Sequence, residues 1–110
     1  MKYLITGASG LLGGRLSSFL EKKGCQIIKG TRNLEFINSS NYSNWVFTDF
    51  DDFNYLKNIC KGVDCVIHAA GPNAEECQRN PLSTFNFYSQ KTKNFVEAAK
   101  AAHIKKFIFL

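Results

Sequence analysis

Thr6-Gly7-Ala8-Ser9-Gly10-Leu11-Leu12-Gly13 is the stretch whose reading decides this chain. It follows a short apolar run, Tyr3-Leu4-Ile5, and leads into Leu12, Leu16, Phe19 and Leu20, which recur at helical spacing. A strand, a glycine-rich turn and a helix running to about Lys23 are therefore predicted. Gly24, directly after Lys22-Lys23, supplies the left-handed stop. In that context each glycine has its own task. Gly7 permits the tight turn, Gly10 lets the backbone approach a diphosphate, and Gly13 lets the helix pack on the strand. Amides from about Ser9 to Leu12 then point at phosphate oxygens, helped by the positive end of the helix, and Ser9 adds a hydroxyl donor. The plainer reading is a turn that only joins strand to helix. The period differs from Gly-x-Gly-x-x-Gly, and Gly13-Gly14-Arg15 stands where a nucleoside-triphosphate loop carries its lysine.

Apolar runs alternate with helix-period segments along the remaining chain, the pattern of a parallel sheet with crossover helices. Strands are predicted at Cys25-Gln26-Ile27-Ile28, at Trp45-Val46-Phe47, from Asp64 to Ala69, and at Lys106-Phe107-Ile108-Phe109-Leu110. The Asn- and Ser-rich segment 31–44 reads as a loop or at most a ragged helical turn. Asp51 or Asp52 caps a short helix carrying Phe53, Leu56, Ile59 and Cys60 and ending near Gly62. Asn80-Pro81 opens a long helix with the apolar stripe Phe85, Tyr88, Phe95, Val96, Ala99 and Ala102. Right-handed crossovers arrange these pieces as a Rossmann-type, doubly wound α/β sheet in the strand order 3-2-1-4-5. The chain stops on the apolar run Phe107 to Leu110, which suggests that it is a piece of a longer protein.

At 110 residues and 45% hydrophobic content, one soluble globular domain is expected. No apolar run approaches the roughly 20 residues of a membrane span, nor the core of a secretory signal, so the cytoplasm is the expected compartment. Cys25, Cys60, Cys65 and Cys77 form no Cys-x-x-Cys pair and read as inert thiols of a reducing compartment, with no metal site. The net charge of +5 comes from dispersed lysines, among them Lys91, Lys93, Lys100, Lys105 and Lys106. They carry no nucleic-acid signature and read as solvated helix faces; a basic surface also suits an anionic cofactor.

The Thr-Gly-x-x-Gly-x-x-Gly spacing resembles that of the extended short-chain dehydrogenase/reductase family, the NAD-dependent epimerase/dehydratase type, whose members act on nucleotide sugars. Asp49-Phe50 after the third strand is similar to that family's acidic-plus-apolar pair beside the adenine. His68-Ala69-Ala70-Gly71 is similar to the segment that runs along the cofactor, and Pro81, Asn86 and Asn94 to Ala99 to its fourth helix. The resemblance covers the whole chain. It implies that residues 1–110 are the amino-terminal, NAD(P)-binding part of an epimerase, dehydratase or reductase working by hydride transfer. Gly7, Ser9, Gly10, Leu11, Leu12, Gly13, Arg32, Asp49, Phe50, Ala69, Ala70 and Gly71 are the expected cofactor-binding residues. The matched residues also have plainer roles: Asp49 can start a turn or cap the next helix, the small residues can make room for a helix, and Asn86 can bond backbone across the sheet. His68 reads as a packed or hydrogen-bonded strand-end residue rather than a base.

The end of the second strand, Lys29-Gly30-Thr31-Arg32-Asn33, carries no acid to bond a ribose 2′-hydroxyl. A guanidinium matches a 2′-phosphate, so NADP is preferred over NAD, with Arg32 as the reader and Lys29 or Asn33 assisting. The alternative is a solvated loop arginine. The family's Tyr-x-x-x-Lys pair and its Ser or Thr are expected past Leu110, together with the substrate-binding region, so no catalytic residue is assigned and these residues are expected to be inactive alone. Tyr88, with Lys91 three residues on rather than four, reads as core. A dinucleotide and a nucleotide sugar are the expected partners, without nucleic acid or membrane; a homodimer stays open. The competing readings are a non-enzymatic NADP(H)-binding redox sensor and, third, a basic nucleic-acid module.

Overall fold

The computed structural model describes residues 1–39, 44–71 and 78–110. Cys77 lies outside them, as does the side chain of Tyr88. Five parallel strands form one sheet in the order β3-β2-β1-β4-β5, as the crossover pattern requires. They are β1 Lys2–Thr6, β2 Gln26–Thr31, β3 Trp45–Phe47, β4 Cys65–His68 and β5 Lys106–Phe109. The helices are α1 Leu11–Lys22, α2 Leu34–Ser39, α3 Phe53–Ile59, α4 Pro81–Asn86 and α5 Thr92–Ala101, with a π-helical turn Phe87–Lys91 joining the last two.

Alternation along the central strands supplies two cores, one per face. Leu4 of β1 and Val66 of β4, paired in register, enter the core shared with Leu56 of α3 and Phe95, Ala98 and Ala99 of α5. Their neighbours Ile5, Cys65 and Ile67, with Ile27 of β2, form the opposite core, against which Leu16 and Leu20 of α1 pack. Free thiols are seen at Cys25, Cys60 and Cys65, and burial pushes the Cys60 thiol up to about 11. No helix among the described residues is long and apolar enough to cross a membrane.

Three local expectations are corrected. Segment 31–44 contains a true helix, α2, whose start is set by Asn33: its Oδ1 accepts the Glu35 N–H at 3.0 Å. The inward stripe of α1 is shifted. Leu12 and Phe19 are exposed, while Gly13 and Ser17 are buried, because the helix lies so close to the first turn that only small residues fit beneath it. The long helix from Pro81 is interrupted by the π-helical turn; Phe85 before it is exposed, and on α5 the buried stripe is Phe95, Ala98 and Ala99, leaving Val96 half in solvent. For the short helix α3, Asp52 rather than Asp51 is the cap, its carboxylate accepting the Tyr55 N–H at 3.1 Å.

Candidate cofactor-binding site

β1 lies where the strand order reverses, and there the carboxyl ends of four strands surround a cavity of about 750 Å³. Open α/β sheets bind ligands at this switch point. After β1 the wall is Gly7, Ser9 and Gly10; after β2 it is Arg32, Asn33, Leu34 and Glu35. Thr48 after β3 and Ala69, Ala70 and Gly71 after β4 complete it.

The three glycines of the first turn are required for different reasons. Gly7 has φ +67°, and a Cβ there would sit 2.8 Å from the Ala69 carbonyl and the Ala70 nitrogen. At Gly13 a Cβ would lie 2.3 Å from the Gly7 oxygen, so the first turn of α1 rests on the backbone of the preceding loop. Gly10 is the exception. Its φ of −87° suits any residue, and a Cβ would meet only the Gly7 oxygen, at 3.3 Å. Backbone strain does not demand glycine there, and the packing is far looser than at Gly7 or Gly13, while Gly10 stands on the cavity wall. Gly10 is also the N-cap of α1, with no side-chain cap and no acid in the first turn. The leading amides therefore have no partner inside the helix, and its positive end is uncompensated. Backbone N–H groups and a helix dipole facing an open space suit an anion such as a diphosphate.

The opposite strand end is held by Thr6, which is fully buried. Its Oγ1 accepts the N–H groups of Ala69 at 3.1 Å and Ala70 at 3.2 Å, and lies 2.7 Å from His68 Nδ1. Both lone pairs being spent, the hydroxyl must donate to Nδ1, so His68 is neutral with its proton on Nε2. Burial first, and the Arg32 guanidinium second, push His68 down to about 4. Its ring stacks edge-on against Phe50 and Phe95, with centroids at 5.3 and 5.1 Å. This is the packed, hydrogen-bonded histidine anticipated from the sequence.

Of the twelve expected cofactor residues, Gly7, Ser9, Gly10, Arg32, Ala69, Ala70 and Gly71 are brought together on the cavity wall. Gly13 supports the wall from behind. Leu11 and Leu12 are exposed side chains on the helix, so only their amides face the right way for a ligand. Asp49 accepts the Asp51 N–H at 3.0 Å, the turn role considered for it, and Phe50 is buried in the core; neither is on the wall. Lys29 is turned away, paired with Glu21 at 2.9 Å and lying over the Trp45 ring, whereas Asn33 is on the wall. Asn86 is exposed and off the cavity. Asn94, by contrast, donates to the Phe50 carbonyl at 2.8 Å and ties α5 to the turn after β3. Three wall residues, Leu34, Glu35 and Thr48, were missed from the sequence. Leu34 and Glu35 were hidden in a segment read as loop, and Thr48 offers no motif, only the bare fact of a hydroxyl at the end of an apolar strand. Among the described residues no group of three or more His, Cys, Asp or Glu is placed to hold a metal ion.

Comparison with solved structures gives the same fold. The chain superposes on UDP-glucose-4-epimerase from Stenotrophomonas maltophila with TM-score 0.82 at 21% identity, covering 99% of this chain and 36% of that one. An epimerase from Methanothermobacter thermautotrophicus matches with TM-score 0.80 at 25% identity, over 98% and 34%. For dTDP-glucose 4,6-dehydratase from Streptomyces venezuelae, the values are 0.79 and 18%, over 97% and 38%. The chain thus spans about a third of the length of these structures. No curated protein matches it by sequence. A family model matches residues 3–110, nearly the whole chain: the protein belongs to the NAD-dependent epimerase/dehydratase family.

Proposed function

We propose that these residues form the dinucleotide-binding part of an enzyme that acts on a nucleotide-activated sugar by hydride transfer. The observation that carries the binding half of this reading is Gly10, on the cavity wall at the start of α1, where a Cβ would meet no protein atom closer than the Gly7 oxygen at 3.3 Å. The diphosphate is held by the amides at the start of α1 and by Ser9, and the small residues Ala69, Ala70 and Gly71 let the cofactor run close along the end of β4. When bound, the nicotinamide supplies the hydride chemistry. The sugar half is supported by the family and by relatives of the same fold, two of which are described with NAD bound, one beside a UDP-sugar.

NADP is favoured over NAD because Arg32 and Asn33 line the cavity after β2, where a 2′-phosphate would meet a guanidinium. Glu35 on the same wall sets a bound on that preference, since its carboxylate repels the phosphate.

The test is a fluorescence titration of the protein with NADPH and NADH. Saturable binding of both, with NADPH tighter, is expected, and Gly10→Val should abolish it while leaving the far-ultraviolet dichroism unchanged. Absence of saturable binding to the wild type, or an unaltered dissociation constant in the valine variant, would remove the basis of the assignment.

A further inference from the structure

Four hydroxyl side chains are buried among the described residues: Thr6, Ser17, Thr31 and Thr48. Three are bonded. Thr6 serves the end of β4, Ser17 Oγ donates to the Gly13 carbonyl at 2.8 Å, and Thr31 Oγ1 bonds Ser9 Oγ at 2.9 Å and the Asn33 N–H at 3.0 Å. Thr48 differs. It is 1% exposed and its Oγ1 is fully buried, yet that oxygen has no hydrogen-bond partner among the described residues. Its own N–H is satisfied, donating to the Thr31 carbonyl at 2.9 Å. The methyl is accommodated too: Gly30 opposite has no side chain, and a Cβ there would come within 2.7 Å of Thr48 Cγ2. Valine would fill the same volume without an unmade hydrogen bond, which on a buried hydroxyl destabilises the protein that carries it. Thr48 is also on the wall of the cavity.

Its place on that wall indicates what would bond it. β3 is two strands from β1, so with neighbouring strands about 4.8 Å apart, Thr48 is on the order of 10 Å from the glycine turn. The end of β2, with Arg32, lies between. A nucleotide has the same sequence of parts: phosphate, then ribose, then base. With the diphosphate on the glycine turn and the ribose before Arg32, the base reaches Thr48. Resting on the dinucleotide reading above, we propose that Thr48 Oγ1 hydrogen-bonds the heterocyclic base of the bound cofactor and so helps to select it. A rotatable hydroxyl can donate to a ring nitrogen of adenine or accept from its exocyclic amine.

The experiment is calorimetric titration of the protein with ADP and with inorganic pyrophosphate, alongside thermal melting without ligand. Thr48→Val should bind ADP about fivefold more weakly, as the loss of one neutral hydrogen bond implies. It should bind pyrophosphate as the wild type does and melt at the same temperature or higher. Should valine overpack, Thr48→Ser against Thr48→Ala isolates the hydroxyl without adding volume, and serine should bind ADP about fivefold tighter than alanine. Equal ADP affinities with and without the hydroxyl overturn the inference about Thr48 alone, as does a loss of pyrophosphate affinity as large as the loss for ADP. A wild type that binds no ADP overturns the dinucleotide reading, and this inference with it.

Discussion

Gly7, Gly10, Ala69, Ala70 and Gly71 make one wall of the cavity, and Arg32, Asn33, Glu35 and Thr48 make the other. The first wall, from β1 and β4, is backbone. It is fixed by close contacts that only small residues allow and by a threonine that binds two main-chain amides of the neighbouring strand end. The second wall, from β2 and β3, is side chains: a cation, an amide, an anion and a hydroxyl. A wall of amides can grip a diphosphate but has little means of telling one nucleotide from another. Groups that differ in charge and hydrogen bonding can do so. On the proposed reading affinity lies with one side and discrimination with the other, and substitutions can separate the two.

The largest effect is expected behind the backbone wall. Gly13→Ala places a Cβ 2.3 Å from a carbonyl oxygen that cannot retreat, and stability should fall by more than about 3 kcal/mol in urea unfolding. Gly10→Ala in the same turn should cost less than about 1 kcal/mol, because its Cβ sits at 3.3 Å and a small shift relieves it. Its loss should appear in ligand affinity instead. Equal destabilisation by the two would erase the distinction between a packed glycine and an open one.

Acid attacks the same wall from β4. His68 is neutral in the fold and titrates at about 4, against an ordinary value of 6.5, so the unfolded chain binds the extra proton first. Stability should therefore be level above about pH 6.5 and decline as the pH falls from there to about 4, by on the order of 3 kcal/mol in all. Protonated Nδ1 can no longer accept from Thr6, which loosens Ala69 and Ala70. His68→Gln should flatten that decline; an unchanged acid limb in urea titrations would place the sensitive group elsewhere.

The side-chain wall should give smaller and more selective changes. Arg32→Ala is expected to remove most of the preference for NADPH over NADH, about tenfold, the worth of one charge-assisted hydrogen bond, while Glu35→Gln should widen it. Folding stability should stay within about 0.5 kcal/mol in either variant, since both are exposed. Parallel losses for both dinucleotides would mean that Arg32 belongs with the gripping wall.

The smallest effect lies away from both walls. α1 and α5 end alike, with a residue at positive φ whose N–H and the next bond back into the last turn: Gly24, φ +85°, and His103, φ +63°. Glycine takes that conformation freely and histidine does not. His103→Gly should raise stability by about 0.5–1 kcal/mol without moving any ligand affinity, which makes it the control for the changes above.

How legible each wall was in the sequence follows the same division. Gly7, Gly10 and Gly13 are three residues apart and act on one another, and Ala69-Ala70-Gly71 is continuous with its strand, so local spacing carried both. Glu35 and Thr48 come from segments separated by a dozen residues and meet only across the sheet. Phe50 shows the converse. Neighbouring Asp49 in an expected pair, it turns into the core because alternation after β3 sends it to the face covered by α3 and α5. The stripe of α1 differs from its sequence pattern for a related reason, since the face that packs on the preceding loop is the one bearing Gly13 and Ser17.

From sequence alone came the alternating apolar runs, the glycine spacing and the crossover order, and with them the five strands and the position of the cavity; these depend on backbone sterics and on burial periods of 2 and 3.6 residues, which are local properties. Only the tertiary structure decided which polar side chains face that cavity, that Gly10 is packed more loosely than Gly7 and Gly13, and that one buried hydroxyl among the described residues was left unbonded. Those outcomes depend on distances between strands far apart in the chain, and a linear pattern does not contain them.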